Sequence, residues 1–513
     1  MAVKLFAAID VGSFELELSI YEMNMKGRIA CIDHVRHVIG LGNDTYRDGV
    51  ISKEMLDELC ATLSGFSEIM QGYHVEAYRA YAISALREAK NRVIVLDQIK
   101  VRTGLEVTVL SNAEQRYLTY NAIPLWMPSF KEVVEEPCAI VDVGYGSTQI
   151  SLYEKGLLIF TQNLGLGALR MQSTLDEFSY TGDVYQLAEE LADNEMDTFR
   201  RYGSDSKNLK RILAIGDCIL LFVAKVMHMP KAQVIRSEDF IRTYMEVRKT
   251  SANDMATNYG IPEEYAKLIL PVAMIYYRFL INSDATEIYL PGVNLSDGMA
   301  TEYANKQKLL PAASVNDFAQ ESLEAARRIR NRYLGNAEHS ETLSDIAALL
   351  FDNMKKQHGL GKRSRLLLQM AAILHDCGKF INISLPGECS YCIVKSTEIL
   401  GLSQQEQAIL ANVIRFNTIA LPFDEKPEDV LTAESYRTVI KLTAILRLAN
   451  ALDRSHRQKI KDIRIALKDE QLQILVDSKA DIALERGMLA RKSDFFAQVF
   501  GITPVLKQKR KLG

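Results

Sequence analysis

Two aspartates, Asp10 and Asp142, each open a D-x-G turn at the end of an apolar run, Leu5–Ile9 and Cys138–Val141. A glycine at such a turn lets the backbone approach a bound group closely. Gly12 and Gly144 hold those positions, and Ser13, Gly146, Ser147 and Thr148 add backbone N–H and hydroxyl donors. Two such turns facing one another make a cleft with phosphate donors and one carboxylate from each half. Carboxylates beside phosphate groups suit Mg²⁺. The plainer alternative is two hairpins whose aspartates merely cap their turns. Duplication favours the cleft: a shift of 132 residues lays residues 10–22 on 142–154 with six identities in thirteen positions and no gap.

The elements that must position these turns follow from periodicity. Each D-x-G is followed by alternating apolar and polar residues, as in a half-buried strand. Between the copies, Lys53–Met70, Arg87–Arg102 and Asn112–Asn121 read as helices, and Ala77–Ala82 and Leu105–Leu110 as strands. The second copy repeats this more loosely, with strands at Arg211–Ile215 and Glu287–Leu290 and a long helix at Glu263–Phe279. Strand–helix alternation of this kind predicts α/β layers.

At 513 residues the chain is long enough for three or four domains. Apolar residues at 48 % and charged residues at 25 % are those of a globular protein, which excludes a fibre or a disordered scaffold. The net charge of −4 excludes a bulk nucleic-acid coater. From Arg457 to Gly513, 13 basic residues face 7 acidic ones, so a basic end follows an acidic body. That end is a solvated surface with a frayed tail at Lys507, Lys509, Arg510 and Lys511, or a local anion contact. Seven scattered cysteines form no disulfide framework and fit a reducing compartment. The single C-x-x-C, Cys389 and Cys392, lacks the second pair of a zinc site and reads as two partly buried helix thiols. The longest apolar stretch, Leu268–Tyr277, is too short to span a bilayer, and no signal peptide is read at the N-terminus. A cytoplasmic protein is expected, with no membrane partner and no sequence-specific nucleic acid.

Further motifs carry a resemblance. Ser84-Ala85-Leu86-Arg87-Glu88-Ala89, Ser111-Asn112-Ala113-Glu114-Gln115-Arg116 and Asp142-Val143-Gly144-Tyr145-Gly146-Ser147-Thr148, in that order, resemble the exopolyphosphatase/guanosine pentaphosphate phosphohydrolase family of the acetate and sugar kinase/Hsp70/actin superfamily. Leu41-Gly42, Leu164–Arg170 and Gly298 add weaker matches. The resemblance implies an α/β fold of two duplicated ribonuclease-H-like (actin-like ATPase) subdomains, then an all-α His-Asp-type domain and a small α/β C-terminal domain. The corresponding spans are 1–123, 124–308, 309–457 and 458–513. It implies Glu114 as general base on a water attacking a terminal phosphate, Arg87 on the phosphate oxyanion, and Asp10 and Asp142 on Mg²⁺ or Mn²⁺. Without the family, Glu114 reads as a helix-start acid favoured by the dipole, and Arg87 as a surface helix arginine. A homodimer and a polyphosphate or guanosine pentaphosphate substrate are also implied.

Several positions depart from the family pattern. The first turn runs Asp10-Val11-Gly12-Ser13-Phe14-Glu15, with Phe14 in place of an amide. In the second, Tyr145 replaces a glycine and Gln149 replaces an acid. Gly216-Asp217-Cys218 stands for Gly-Gly-Thr, placing a carboxylate where phosphate is expected, and Leu295-Ser296-Asp297-Gly298 for Leu-Arg-Glu-Gly. Together they point to altered specificity, weak turnover or a binding-only, regulatory role. A sugar or acetate kinase of the same superfamily fits less well with the Glu114 motif and the helical back half.

That back half shows helical apolar spacing at Phe318–Tyr333, Ser340–Lys356, Ser364–Leu374 and Gln404–Arg415. His339 and His375-Asp376 resemble the ligands of a His-Asp-type metal site, but the position expected to carry a further Asp is Asn450. A vestigial second metal site is the expectation, and Asp453, one turn on, is not counted as its replacement. The tail reads β-β-α-β over Lys461–Leu467, Gln471–Val476, Asp481–Lys492 and Ile502–Leu506.

Overall fold

The residues alternating after each D-x-G turn form strands, and each turn joins two of them. In this computed structural model, residues 3–24, 27–178, 184–202, 208–310, 318–423, 431–468 and 470–508 are described. The tail residues Lys509, Arg510 and Lys511, and residues 311–315 of the expected junction, lie outside them. Two compact units are present, residues 1–316 and 317–513.

In the first unit, β1 (Val3–Val11), β2 (Glu15–Asn24), β3 (Ile29–Val38), β4 (Ala77–Ala82) and β5 (Val107–Val109) form a sheet of order β3-β2-β1-β4-β5. The hairpins β1–β2 and β2–β3 are antiparallel, while β4 and β5 run parallel to β1. A second sheet holds β6 (Cys138–Val143), β7 (Thr148–Glu154), β8 (Leu157–Leu164), β9 (Arg211–Ile215), β10 (Val234–Arg236) and β11 (Glu287–Tyr289). Its order is β10-β11-β9-β6-β7-β8. Taken from β8 to β11, it repeats the first sheet strand for strand and direction for direction; β10 adds an antiparallel edge. The duplication read from thirteen residues thus extends to the topology of both halves.

Helices cover the sheets for reasons visible in their sequences. Lys53–Gly72 starts at Ser52, whose hydroxyl accepts from the Met55 amide at 3.2 Å. It buries Leu59, Leu63, Phe66 and Met70, one helical stripe. Where one helix was expected over Arg87–Arg102, there are two, Ser84–Glu88 and Arg92–Thr103. The break follows from Asn91, whose amide group pairs with both the N–H and the carbonyl of Ile51 (3.0 and 2.9 Å). Glu263–Leu280 is buried along most of its length, and its Tyr276 hydroxyl lies 2.8 Å from the Val141 carbonyl and 2.9 Å from that of Ile215. Those contacts hold β6 and β9 together just before Asp142 and Gly216. Leu295–Lys306 returns to the first sheet, where Tyr303 stacks on Phe6 with centroids 4.5 Å apart. Gly298 permits this: a Cβ there would lie 2.4 Å from the Leu118 carbonyl oxygen.

In the second unit, helices Phe318–Arg332, Ala337–Asn353, Lys362–Leu374, Pro386–Ser396, Gln404–Phe416 and Ala433–Leu452 precede the expected β-β-α-β tail. Its strands are β12 (Asp462–Lys468), β13 (Gln471–Asp477) and β14 (Thr503–Gln508), in that spatial order, with helix Ala483–Phe500 between the last two. Leu472, Ile474, Val476 and Phe496 join the same core as Leu446 and Leu448 of the helices. Cys389 is half-buried and Cys392 exposed on one helix. Among the described residues, no helix is long and apolar enough to cross a membrane.

Candidate active site

Both D-x-G turns close with the same bond. The Gly12 amide donates to the Glu15 carbonyl at 3.0 Å, and the Gly144 amide to that of Ser147 at 3.0 Å, 132 residues on. A Cβ on Gly12 would sit 2.6 Å from the Glu15 carbonyl oxygen, so glycine is required there.

The two turns bring Asp10 and Asp142 within each other's field. Asp10 Oδ1 is inaccessible and has no hydrogen-bond partner among the described residues. Burial, with Glu15, Asp217 and Asp142 adding repulsion, pushes the Asp10 carboxyl up to about 8. Burial raises Asp142 to about 7, opposed by the Arg116 guanidinium. Arg116 is itself buried, donates to Thr161, and is lowered to about 10 by that burial. The Gln149 side chain, opposite Asp142 across the hairpin, is 2 % exposed, and its Oε1 has no partner among the described residues. Unpaired buried oxygens are costly, and hard oxygen donors of this kind fit Mg²⁺ or Mn²⁺.

Glu114 lies in the first turn of helix Asn112–Trp126, and Arg87, on helix Ser84–Glu88, reaches the same helix start with its side chain. Glu114 Oε2 accepts from the Ser111 amide at 2.9 Å and the Ser111 hydroxyl at 2.8 Å, while the Ser111 hydroxyl accepts from the Glu114 amide. This capping box holds the carboxylate at the helix N-terminus. Arg87 donates to the Leu110 carbonyl at 2.7 Å and Asn112 Oδ1 at 2.5 Å. The charge of Glu114 is felt at Arg87, and that of Arg87 at Arg116. The proposed base, the arginine and the Asp142 region are therefore one electrostatic neighbourhood.

The donor residues are engaged within the protein. Ser13 Oγ lies 2.7 Å from Ser84 Oγ and accepts from the Tyr46 hydroxyl and the Ala85 amide. The Thr148 hydroxyl donates to the Leu166 carbonyl at 2.5 Å. Gly146 packs against Tyr46 and Ser84 so closely that a Cβ would fall 1.9 Å from the Tyr46 hydroxyl. Its carbonyl accepts from Arg170, which also pairs with Glu88 and lies over the Tyr46 ring. Ser147 is half-buried at the turn and gives its carbonyl to Gly144.

Two of the residues that depart from the family pattern, Phe14 and Tyr145, meet one another. Phe14 is buried in the core of the second half, beside Tyr145 (4.9 Å between centroids) and Tyr265 (5.4 Å). Tyr145 donates to Glu15 Oε1 at 2.9 Å, and Tyr265 donates to Glu15 Oε2. Burial raises the Glu15 carboxyl, and the Tyr265 bond and the Arg36 charge draw it back. Arg36 bridges Glu17 (3.1 Å) and Asp217 (3.2 Å). Asp297 completes a capping box with Asn294 and accepts from Tyr21, a structural part.

Tyr46, Tyr265, Arg36, Glu17, Arg116 and Arg170 were not singled out by sequence. For Glu17 a signal existed: it follows Asp10 by the same seven residues that separate Gln149 from Asp142.

The second unit assembles His339, His375 and Asp376, with one ligand atom of each within 4.8 Å of the others. His339 donates from Nδ1 to Asp453 at 2.7 Å, and His375 from Nδ1 to the Ala372 carbonyl at 2.8 Å. His339 Nε2 is buried without a partner among the described residues. Burial lowers His375 to about 4. Asp376 is shared with Lys379 at 2.5 Å. Asp453, not counted from sequence, reaches His339 because helix Ala433–Leu452 ends before it. Asn450 Oδ1 is buried and has no partner among the described residues.

Residues 19–299 match the profile of the Ppx/GppA phosphatase family, and residues 323–493 that of Ppx/GppA phosphatase domain III. A guanosine-5'-triphosphate,3'-diphosphate pyrophosphatase of Vibrio atlanticus (strain LGP32) is 20% identical over 426 residues, 80% of this chain and 80% of that protein. An exopolyphosphatase from Cytophaga hutchinsonii ATCC 33406 shares the fold at a TM-score of 0.51 and 18% identity, covering 60% of this chain and 100% of its own.

Proposed function

The chain belongs to the Ppx/GppA phosphatase family, and from that membership we propose that it hydrolyses phosphoric anhydrides in the cleft between the duplicated halves. The reaction is release of orthophosphate from the ends of inorganic polyphosphate, or from guanosine pentaphosphate. The observation that carries it is the pair Asp10 and Asp142, half-buried at equivalent turns, one with an inaccessible oxygen that has no partner among the described residues. Asp10 and Asp142 would hold Mg²⁺ or Mn²⁺, which when bound offsets charge on the phosphate oxygens.

The chain's own residues supply the rest. Glu114, fixed by its cap, accepts the proton of the attacking water. Arg87 and Arg116 place positive charge where the departing phosphate gains negative charge. The protein is proposed to act as a cytoplasmic homodimer, as the family resemblance implies.

A second reading rests on a specific observation: Phe14, Glu15, Tyr145 and Tyr265 fill the turn region with the chain's own side chains. On this reading the protein is a weakly active or inactive polyphosphate- or alarmone-binding regulator. Incubation with long-chain polyphosphate and Mg²⁺ separates the two. Orthophosphate release that disappears in Glu114→Gln supports hydrolysis. Retained polyphosphate binding without release supports the regulator, and neither binding nor release overturns both.

A further inference from the structure

Three helix ends converge in the second unit. His339 is the third residue of helix Ala337–Asn353, which starts where Asn336 accepts from the His339 amide at 3.0 Å. His375 and Asp376 follow the last residue of helix Lys362–Leu374, and Asp453 follows that of helix Ala433–Leu452. The His375 turn is pinned: the buried Ser390 hydroxyl donates to the His375 carbonyl at 3.1 Å and accepts from the Gly378 amide at 2.8 Å. A Cβ on Gly378 would fall 2.3 Å from the Ser390 nitrogen, so the turn packs directly on helix Pro386–Ser396.

Hydrogen bonding fixes which nitrogen of each ring is left over. A carbonyl or a carboxylate only accepts, so a ring nitrogen bonded to one carries the proton. In the neutral imidazole the other nitrogen then carries the lone pair. His375 donates from Nδ1 to the Ala372 carbonyl, which leaves its Nε2 lone pair against Asp376 Oδ1, 3.2 Å away. Two acceptors at that distance repel unless a cation lies between them. His339 repeats the arrangement with its Nδ1 on Asp453. Its side chain is 0 % exposed, and its Nε2 has no partner among the described residues. Protonating both Nε2 atoms instead would set two positive rings 5.2 Å apart and leave a buried N–H unsatisfied.

We propose that the second unit binds one divalent transition-metal ion through His339 Nε2, His375 Nε2 and an oxygen of Asp376, with Asp453 as the positioning residue that holds the His339 ring. One ligand atom from each of the first three lies within 4.8 Å of the others, and Asp453 stands outside that group. An acceptor behind a metal-bound histidine fixes its tautomer and direction. His456, stacked flat on His339 at 3.6 Å, restrains the ring further. Two imidazoles and one carboxylate suit Zn²⁺ rather than the all-oxygen shell of Mg²⁺. Asn450 in place of an acid leaves three protein donors, the number found in zinc sites that keep a position open. The site expected to be vestigial is on this reading a working one, independent of the cleft in the first unit.

The test is Zn²⁺ binding to the full-length protein, by equilibrium dialysis with elemental analysis in excess Mg²⁺, with Co²⁺ as a second probe read by its visible absorption. A single tightly bound Zn²⁺ is expected, and it is retained when Asp10→Asn and Asp142→Asn are combined. Asp453→Asn is expected to weaken binding by about 10–100-fold and to leave the Co²⁺ spectrum unchanged. His375→Gln removes a donor, so it weakens binding further and changes the spectrum. If His375→Gln loses its fold by circular dichroism, Asp376→Asn is the second variant, with the same expected result. A wild type that binds no Zn²⁺ overturns the proposal, as does binding that survives the donor variants or disappears with Asp10 and Asp142. A sulfur-to-cobalt band in the near ultraviolet would assign the ion to Cys389 and Cys392 and overturn it as well.

Discussion

The Phe14 ring of the first hairpin turn lies 4.9 Å from the Tyr145 ring of the second, so the two D-x-G turns are joined by their own side chains. Full burial of a phenylalanine stabilises by about 1.5–3 kcal/mol. Replacing both rings, Phe14→Asn with Tyr145→Gly, is expected to lower stability by about 3–5 kcal/mol and to raise orthophosphate release from polyphosphate at least tenfold. Calorimetry and a phosphate-release assay read the two effects. A drop in release would mean that the rings belong to the working site.

Glu114 is both helix cap and proposed base, and two substitutions separate those parts. Glutamine still caps, so Glu114→Gln is expected to keep the melting temperature and lose at least a hundredfold in turnover. Glu114→Ala loses both, with about 1 kcal/mol of stability. Equal turnover in Glu114→Gln and wild type removes Glu114 from the chemistry.

The raised carboxyls make stability depend on pH. Asp10 at about 8 and Asp142 at about 7 retain protons in the folded chain that an unfolded aspartate, near about 3.9, has lost. Their stabilising share is full below pH about 4 and is lost as pH rises through 7 and 8. Without divalent cations, Asp10→Asn is therefore expected to melt higher than wild type at pH 8.5 and to match it at pH 4. Added Mg²⁺ should raise the melting temperature of wild type at pH 8.5 and leave the variant nearly unchanged. A wild type that gains stability from pH 4 to 8.5 in chelator contradicts the assignment.

Gly146 admits no side chain while Tyr46 and Ser84 stay in place. Gly146→Ala should cost about 1–3 kcal/mol by overpacking, and a second change, Tyr46→Phe, should recover part of it by removing the hydroxyl in the way. Thermal melts of the single and double variants measure that recovery. No loss in Gly146→Ala would show that the turns separate freely in solution.

In the second unit, Asp453→Ala leaves the His339 Nδ1 donor buried and unpaired. An expected loss of about 1–3 kcal/mol, read by chemical denaturation, distinguishes a structural partner from a bystander.

What could be read from sequence was what repeats locally. The two hairpins were legible because D-x-G, the alternation after it and the 132-residue offset are short-range signals. The β-β-α-β tail was legible for the same reason. The break at Ala89–Asn91 was not, because it depends on Asn91 meeting Ile51 from another segment. Nor was the partner of Glu15, since Tyr265 lies 250 residues away and carries no local pattern. Asp453 was passed over because its side chain was read on a continuing helix, while the helix ends one residue earlier. At the turns, Phe14 and Tyr145 were legible as departures, but their contact with each other required the folded chain.

That contact has a historical side. Phe14, Glu15, Tyr145 and Tyr265 satisfy one another, so reverting one alone leaves a hole or strands a buried carboxylate. A path back to an unplugged turn crosses less stable intermediates whichever residue changes first. The four positions form one physically coupled set, and a homologue carrying only part of it is expected to carry a compensating change beside it.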